Sequence, residues 1–132
     1  MKTYRICAAA FLLVSISGVT LAKTPRDHFV GLRDLYQRYV DAGYSALNFS
    51  ELNGQVFVSG VALKFTESIS GGVMLIAGDK SSSDELARIS AADDDGDRRL
   101  KSLKIGKPFK AICDLGFTSG SEWMSLQNCI VK

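Results

Sequence analysis

The sequence predicts a mainly β protein: a small five-stranded Greek-key barrel, the OB-fold, preceded by an N-terminal amphipathic helix. Apolar side chains recur at three- to four-residue spacing within residues 24–47, which is the period of an amphipathic helix. After residue 54 the chain consists of short runs rich in Val, Ile and Phe, separated by Gly- and Ser-containing turns, as is typical of strands. Three such runs, a helical insertion and two more runs follow the chain order of an OB-fold, whereas an immunoglobulin-like sandwich needs about seven strands and no leading helix.

Residues 1–22 precede this domain and have the layout of a secretory signal peptide. Lys2 and Arg5 stand before an apolar run, and Ala22 ends a segment of small residues that is suited to cleavage. The run is shorter than the ~20 residues that a membrane-spanning helix needs. Cys7 stands before the apolar run rather than after it, which does not fit a lipoprotein. We therefore expect cleavage after Ala22 and export to the periplasm, or secretion, with no transmembrane segment afterwards.

Cleavage also changes the charge balance. The whole chain has 16 basic and 14 acidic side chains, and the leader holds Lys2 and Arg5 but no acid, so 16 less two leaves 14 basic groups against 14 acidic ones. Nucleic acids and anionic membranes are bound by clustered positive charge. The composition therefore makes nucleic acid an unfavoured partner, and we expect another envelope protein instead.

Residues 23–51 are predicted to form the N-terminal helix. Thr24 can cap it, Pro25 suits its first position, and Gly43 either ends the helix or breaks it. His28 is the only histidine, and we expect it to be an ordinary residue on this helix. A Ser-His-Asp or Cys-His mechanism would have to use it, and a structural zinc site would need four ligands. The sequence thus predicts no enzyme, no catalytic residue, no metal and no cofactor.

Residues 52–132 are predicted to form the barrel domain. Gly60 stands in the middle of the first strand, where a glycine often marks the bend that a small barrel needs. Residues 78–85 are predicted to be a polar loop, and residues 85–91 are left open between a third strand and a helical turn. The other strands are expected at 55–65, 73–77, 107–116 and 122–131.

Three stretches carry the resemblance to a known family: LNGQVFVSGVA (52–62), LKSLKIGKPFKAICDLG (100–116) and EWMSLQNCIV (122–131). Gly106 and Cys113 match a fourth strand that begins with Gly and ends with Cys, and Leu126 and Cys129 match a last strand that ends Leu-x-x-Cys. Over residues 36–131 the chain resembles the bacterial exported tRNA-anticodon-binding-like OB-fold family. The resemblance implies the barrel and no activity, since a fold does not determine a function.

The second and third strands speak against single-stranded nucleic acid as the ligand. An OB barrel that binds single strands presents aromatic side chains among basic ones on these strands. Residues 73–77 and 87–91 contain no aromatic side chain, and Arg88 is their only base.

The acidic run at 93–97 resembles part of a calcium loop. With Gly96 in the sixth position, an EF-hand also needs ligands at positions 91, 93, 95 and 102. Positions 91 and 102 are Ala and Ser, so two of the four match. We therefore predict a solvated acidic loop, with Asp93 and Asp95 as weak candidates for binding a cation.

The candidates for partner binding are basic or aromatic side chains in the last third of the chain: Arg98, Arg99, Lys101, Lys104 and Trp123. The basic run is either a solvated cap or a surface for an anionic partner. Its Leu100 and Leu103 predict a short amphipathic turn that plugs the barrel. Trp123 either caps the barrel mouth or anchors a partner, since Trp is enriched at binding hot spots.

Cys113 and Cys129 are predicted to form a disulfide in an oxidising compartment. Strict alternation places Cys113 on the apolar face of its strand, while Met124, Leu126 and Ile130 occupy the apolar face of the next strand and leave Cys129 on the other. The bond therefore requires an irregularity at residues 127–129.

Several functions remain open at this level. The favoured one is an exported, non-catalytic OB-fold binding protein for an envelope protein or a small ligand. The alternatives are a periplasmic immunity or inhibitor protein acting on a toxin or lytic enzyme, a nucleic-acid- or oligosaccharide-binding OB module, and a small enzyme or cation-dependent module built on the Asp loop.

Overall fold

The computed structural model describes residues 28–49 and 54–132. In chain order its elements are β1 (Val30–Gly31), α1 (Leu32–Asp41), a 3-10 turn (Ala46–Asn48), β2 (Gln55–Glu67), β3 (Val73–Asp79), β4 (Ser82–Ser90), α2 (Asp94–Lys101), β5 (Pro108–Leu115) and β6 (Met124–Val131).

Strands β2 to β6 close into a barrel. Their order is β2-β3-β4-β6-β5, and β5 pairs back onto β2. All of these pairings are antiparallel except β4 with β6, which is parallel and extends over three residue pairs. The predicted five-stranded OB-type barrel is confirmed, and the two-residue β1 adds to it by pairing in parallel with β2.

Strand β2 makes the corner of the barrel. Residues 55–61 pair with β5 and residues 61–67 pair with β3, with a register shift between Ala62 and Lys64. Gly60 lies at this corner, where an added Cβ would come 2.8 Å from the Gly78 carbonyl oxygen. The predicted corner lies in this strand just after Gly60, and close backbone approach is the physical reason for a glycine there.

The helix is shorter than predicted. It begins at Leu32, because Val30 is extended and pairs with Val58 of β2, and His28 precedes this strand instead of lying on a helix. The helix ends at Asp41, and Gly43 follows in the left-handed region with a φ of 73°, so of the two roles left open for Gly43 the structure shows the helix end. Thr24 and Pro25 lie outside the described residues.

The polar segment between the second and third strands is also shorter than predicted. Strand β3 continues to Asp79 and β4 begins at Ser82, so most of residues 78–85 is strand, and residues 85–91 belong mainly to β4. The turn is tight because the Asp79 carboxylate accepts hydrogen bonds from both the backbone N–H and the hydroxyl of Ser81, at 3.0 and 2.7 Å.

One helix lies at each end of the barrel. Leu32, Leu35 and Tyr39 of α1 are buried at the end where β4 begins, and Arg33 of α1 donates a 2.9 Å hydrogen bond to the Ser82 hydroxyl there. At the other end Leu100 of α2 is buried in the same core, with Leu103 packed against it. The predicted plug is therefore present.

Cys113 of β5 and Cys129 of β6 are joined by a disulfide. The irregularity that the bond requires is located at Asn128, whose φ is 51°, and the β5–β6 register shifts between Ile112 and Asp114. This shift reverses the phase of β6, so Cys129 is buried while Ile130 is 50% exposed. The expectation that Ile130 faces the core is therefore wrong.

Candidate binding groove

A groove of about 640 Å³ lies where α1, the start of β4 and the β5–β6 loop meet. Its lining combines three aromatic rings with three carboxylates, and we call it the aromatic–acidic groove. The lining residues are Tyr36, Gly43, Tyr44, Asp84, Glu85, Gly120, Glu122 and Trp123.

Helix α1 fixes the loop that forms one wall. The Tyr36 hydroxyl donates a 2.8 Å hydrogen bond to the Glu122 carbonyl, and the Tyr39 hydroxyl donates one of the same length to the Ser121 carbonyl. Both tyrosines lie on the same side of the helix, three residues apart. The apolar stripe predicted from sequence thus has a second role, because its tyrosines carry polar tips that bind a distant loop.

A bulge in β4 supplies two of the carboxylates. Asp79 pairs with Ser82 and Ala77 with Ala87, so Gly78 alone opposes the four residues 83–86. This bulge turns Asp84 and Glu85 towards the groove. It brings the Asp84 carbonyl so close to β3 that a Cβ on Gly78 would lie 2.6 Å from that oxygen.

The groove opens where β4 and β6 part. Their parallel pairing begins at Ala87 and Met124, and Glu85 of β4 and Glu122, in the loop before β6, each stand two residues earlier. Like charges directly opposite each other disfavour strand pairing. Both glutamates line the groove just before the pairing begins.

Tyr44 forms the rim in an unusual conformation. Its φ is 58°, in the left-handed region that bulky side chains rarely adopt, and its carbonyl accepts a 2.9 Å hydrogen bond from the Gly120 N–H. The ring is 40% exposed and meets Tyr39 edge-on, with 5.9 Å between the ring centroids. A strained position that holds an exposed aromatic ring beside a groove is a functional candidate.

Trp123 already binds a cation on one ring face. The Arg88 guanidinium lies 3.6 Å from the ring centroid, and its Nε donates a 2.6 Å hydrogen bond to Glu85. A guanidinium held between an aromatic face and a carboxylate is a favourable cation–π arrangement.

The titration behaviour of Tyr36 reflects an apolar and negatively charged surrounding. Burial is the main cause that raises the pKa of this phenol, and Tyr44 and the nearby carboxylates of Glu122 and Asp84 raise it further. Beside the groove, the ion pair of Arg33 with Asp79 joins α1 to the β3–β4 turn. The hydrogen bond from Arg33 holds the pKa of Asp79 well below its usual range.

The acidic run at residues 93–97 is not a loop. The Asp93 side chain caps α2 by accepting a 2.7 Å hydrogen bond from the Gly96 N–H, and Asp95 forms an ion pair with Arg98. Acidic residues are favourable in the first turn of a helix, which is why the run is helical. Among the described residues, no group of three or more His, Cys, Asp or Glu side chains could hold a metal ion.

The predicted partner-binding residues lie in two separate places. Trp123 lines the aromatic–acidic groove, whereas Arg98, Arg99, Lys101 and Lys104 are exposed on α2 and the turn after it, at the other end of the barrel. Sequence reasoning missed Tyr44, Asp84 and Glu122 as groove residues. Only the aromatic or acidic character of the segments around Tyr44 and Trp123 could have indicated them.

A second aromatic–basic contact lies on the outer face of β2 and β5. Phe29 meets Phe57 edge-on at 5.7 Å between ring centroids, and the Lys110 ammonium lies 5.2 Å from the Phe29 centroid. Phe29 and Phe57 are half-buried, and Lys110 is exposed. Of these three side chains, Lys110 is therefore the one most accessible to a ligand.

Comparison with known proteins supports the fold alone. No family model and no curated protein matches the chain. A solved structure from Klebsiella pneumoniae subsp. pneumoniae, named as a "putative nucleic acid-binding lipoprotein", is similar with a TM-score of 0.56 and 15% identity, over 79% of this chain and 92% of that one. No helix within residues 28–49 and 54–132 is long and apolar enough to span a membrane.

Proposed function

We propose that the chain is an exported, non-catalytic OB-fold binding module that takes a segment of an envelope protein into the aromatic–acidic groove. The observation that carries this proposal is the groove itself: three aromatic rings and three carboxylates line a space of about 640 Å³. Ligand sites are concave and combine aromatic surface with polar groups that set specificity; this groove is concave and has three aromatic residues, and its three carboxylates make it more polar than most such sites.

The bonding within the groove supports binding rather than catalysis. The Tyr36 hydroxyl is bound to the Glu122 carbonyl, and the Glu85 carboxylate is bound to Arg88. Covalent catalysis needs a nucleophile beside a general base, and these groups instead hold the walls in place.

Three features support export. Residues 1–22 have the layout of a cleaved leader, the Cys113–Cys129 disulfide is the kind of bond that persists in oxidising compartments, and the similar Klebsiella protein is named as a lipoprotein. The family resemblance over residues 36–131 also belongs to exported OB-fold proteins.

Nucleic acid binding is the second candidate, because the Klebsiella protein is named for it. The charge of the groove opposes this candidate. Asp84, Glu85 and Glu122 would repel a phosphate backbone, and the basic side chains of α2 lie at the opposite end. An immunity or inhibitor protein is a special case of partner binding, in which the occupant of the groove is a toxin or lytic enzyme.

Site-specific photocrosslinking tests the proposal. The protein is produced in its source organism with its own leader, with p-benzoylphenylalanine in place of Tyr44. Matched variants carry the same group in place of Lys104 and of Ile69, both exposed on the α2 side of the barrel. We expect a discrete protein adduct from position 44 and none from the other two. Adducts only at the controls, adducts with nucleic acid, or none at position 44 would overturn the proposal.

A further inference from the structure

Building on the proposed groove, we infer that the group it recognises is a cation, namely the Lys or Arg side chain of an extended segment of the partner protein. Two carboxylates are available for it. Within the part of the chain that the structure describes, neither Asp84 nor Glu122 forms an ion pair. The Ser82 hydroxyl donates a 3.0 Å hydrogen bond to Asp84 and accepts one from Arg33, so that guanidinium acts on Asp84 only at longer range. Arg88 is paired with Glu85, so it offsets one of the three negative charges in the lining.

The groove already binds one cation of the protein itself in this way. Arg88 places its guanidinium over the face of Trp123 and its Nε on Glu85, so one aromatic ring and one carboxylate bind one cation. Tyr36 and Tyr44 line the same space as Asp84 and Glu122, which offers aromatic faces and unpaired carboxylates for a second, incoming cation. The groove volume of about 640 Å³ leaves room for such a side chain.

Tyr44 adds a partly exposed aromatic side chain to the rim of the groove. Glycine or asparagine would occupy a φ of 58° with less strain than tyrosine, yet an exposed ring stands there, facing the groove. The carbonyl of the same residue holds Gly120, which is also in the left-handed region with a φ of 72°. The Tyr44 side chain is thus held on the rim although its backbone conformation is unfavourable for a tyrosine.

A neutral sugar could also stack on these rings, and a nucleic acid could stack its bases on them. A sugar makes no use of two unpaired carboxylates as charges, and a phosphate backbone is repelled by them. Only a cation is attracted both by the carboxylates and by the faces of the aromatic rings. The three classes of ligand can therefore be distinguished by comparing their binding to the protein in one set of titrations.

Trp123 reports on the groove directly, because it is the only Trp of the chain and lines the site. Its fluorescence is recorded while the intact protein is titrated with tetralysine, with tetralysine acetylated on every side-chain amine, with a neutral tetrasaccharide and with single-stranded oligothymidine. We expect saturable binding of tetralysine that weakens at high salt, and no response to the other three probes. Equal binding of the acetylated peptide, or binding of the sugar or the oligonucleotide instead, would refute the inference.

Two variants with the same net charge distinguish binding at the groove from attraction by the overall charge of the protein. Asp84→Asn/Glu122→Gln removes the unpaired carboxylates, and Glu67→Gln/Asp94→Asn removes two exposed acids on the α2 side. The first variant should weaken tetralysine binding by about tenfold or more, and the control by about twofold or less. Equal losses in both variants would refute recognition at the groove.

The inference and the proposed function fail in different ways. A protein adduct at position 44 that survives excess tetralysine leaves the groove as the partner site and refutes the cation. Tetralysine binding at the groove without any protein adduct at position 44 leaves the cation and refutes the protein partner.

Discussion

Replacing Gly78 by alanine tests how the groove is built, because Gly78 is the one residue of β3 that faces the bulge at residues 83–86. An alanine Cβ would lie 2.6 Å from the Asp84 carbonyl oxygen and 2.8 Å from Cδ1 of Leu63. Leu63 can rotate away, but the carbonyl belongs to the bulge and moves only if the bulge moves. The substitution therefore strains the part of β4 that places Asp84 and Glu85.

The expected size follows from overpacking. Forcing an extra carbon into a tightly packed site costs about 1–3 kcal/mol, and about 1 kcal/mol lowers the Tm of a domain of this size by about 4–8 °C. Gly78→Ala should thus unfold about 10 °C below the wild type. It should also change the Trp123 emission spectrum, because Glu85 holds Arg88 over that ring.

Thermal unfolding by circular dichroism measures the first effect and fluorescence the second. The matched control is Gly72→Ala, where the nearest atom to an added Cβ is the Ser68 hydroxyl at 3.4 Å. This variant should keep the wild-type Tm to within about 2 °C. A Gly78→Ala protein that is as stable as Gly72→Ala would show that the bulge is not packed against β3, and our account of the groove wall would then be wrong.

Three other predictions concern the rest of the barrel. Cys113→Ala/Cys129→Ala should lose about 3 kcal/mol of stability in chemical denaturation, because the disulfide closes a loop in the unfolded chain, and thiol labelling of the denatured, unreduced wild type should find neither cysteine free. Asp93→Ala should lose about 1 kcal/mol by removing the α2 cap, and the wild-type Tm should not respond to calcium; a calcium-dependent rise lost in this variant would restore the cation site. The pKa of Asp79 is lower in the folded protein than in the unfolded chain, so its ion pair with Arg33 contributes stability above about pH 4. This stability is lost progressively as the pH falls. The Tm of Asp79→Asn should therefore fall less on acidification than the Tm of the wild type.

The sequence was sufficient to predict the barrel because each strand carries its own signal. The order of elements, the bend at Gly60 and the helix end at Gly43 follow from residues that act locally. The irregularity beside Cys129 was predictable for a different reason. A disulfide between these cysteines is incompatible with strict alternation of the side chains. The alternation is therefore interrupted, and the interruption lies at Asn128, whose backbone is left-handed.

The groove could not be predicted, because its residues come from segments far apart in the chain. Tyr44, Glu85 and Trp123 meet through the register of β3 with β4 and of β4 with β6, and no local pattern encodes the bulge opposite Gly78. The role of Asp93 was a different kind of miss. A capping aspartate three residues before Gly96 was visible in the sequence, but the acidic run was compared only with a calcium-binding loop and was therefore predicted to be a solvated loop.

The most direct test of the account is competition at Tyr44. The photocrosslinkable protein is irradiated in its source organism's envelope extract with and without excess tetralysine, and the adduct is quantified. We predict one protein adduct whose yield falls at least tenfold with tetralysine and is unchanged by the acetylated peptide. An adduct unaffected by tetralysine, or one formed with nucleic acid, would contradict the account.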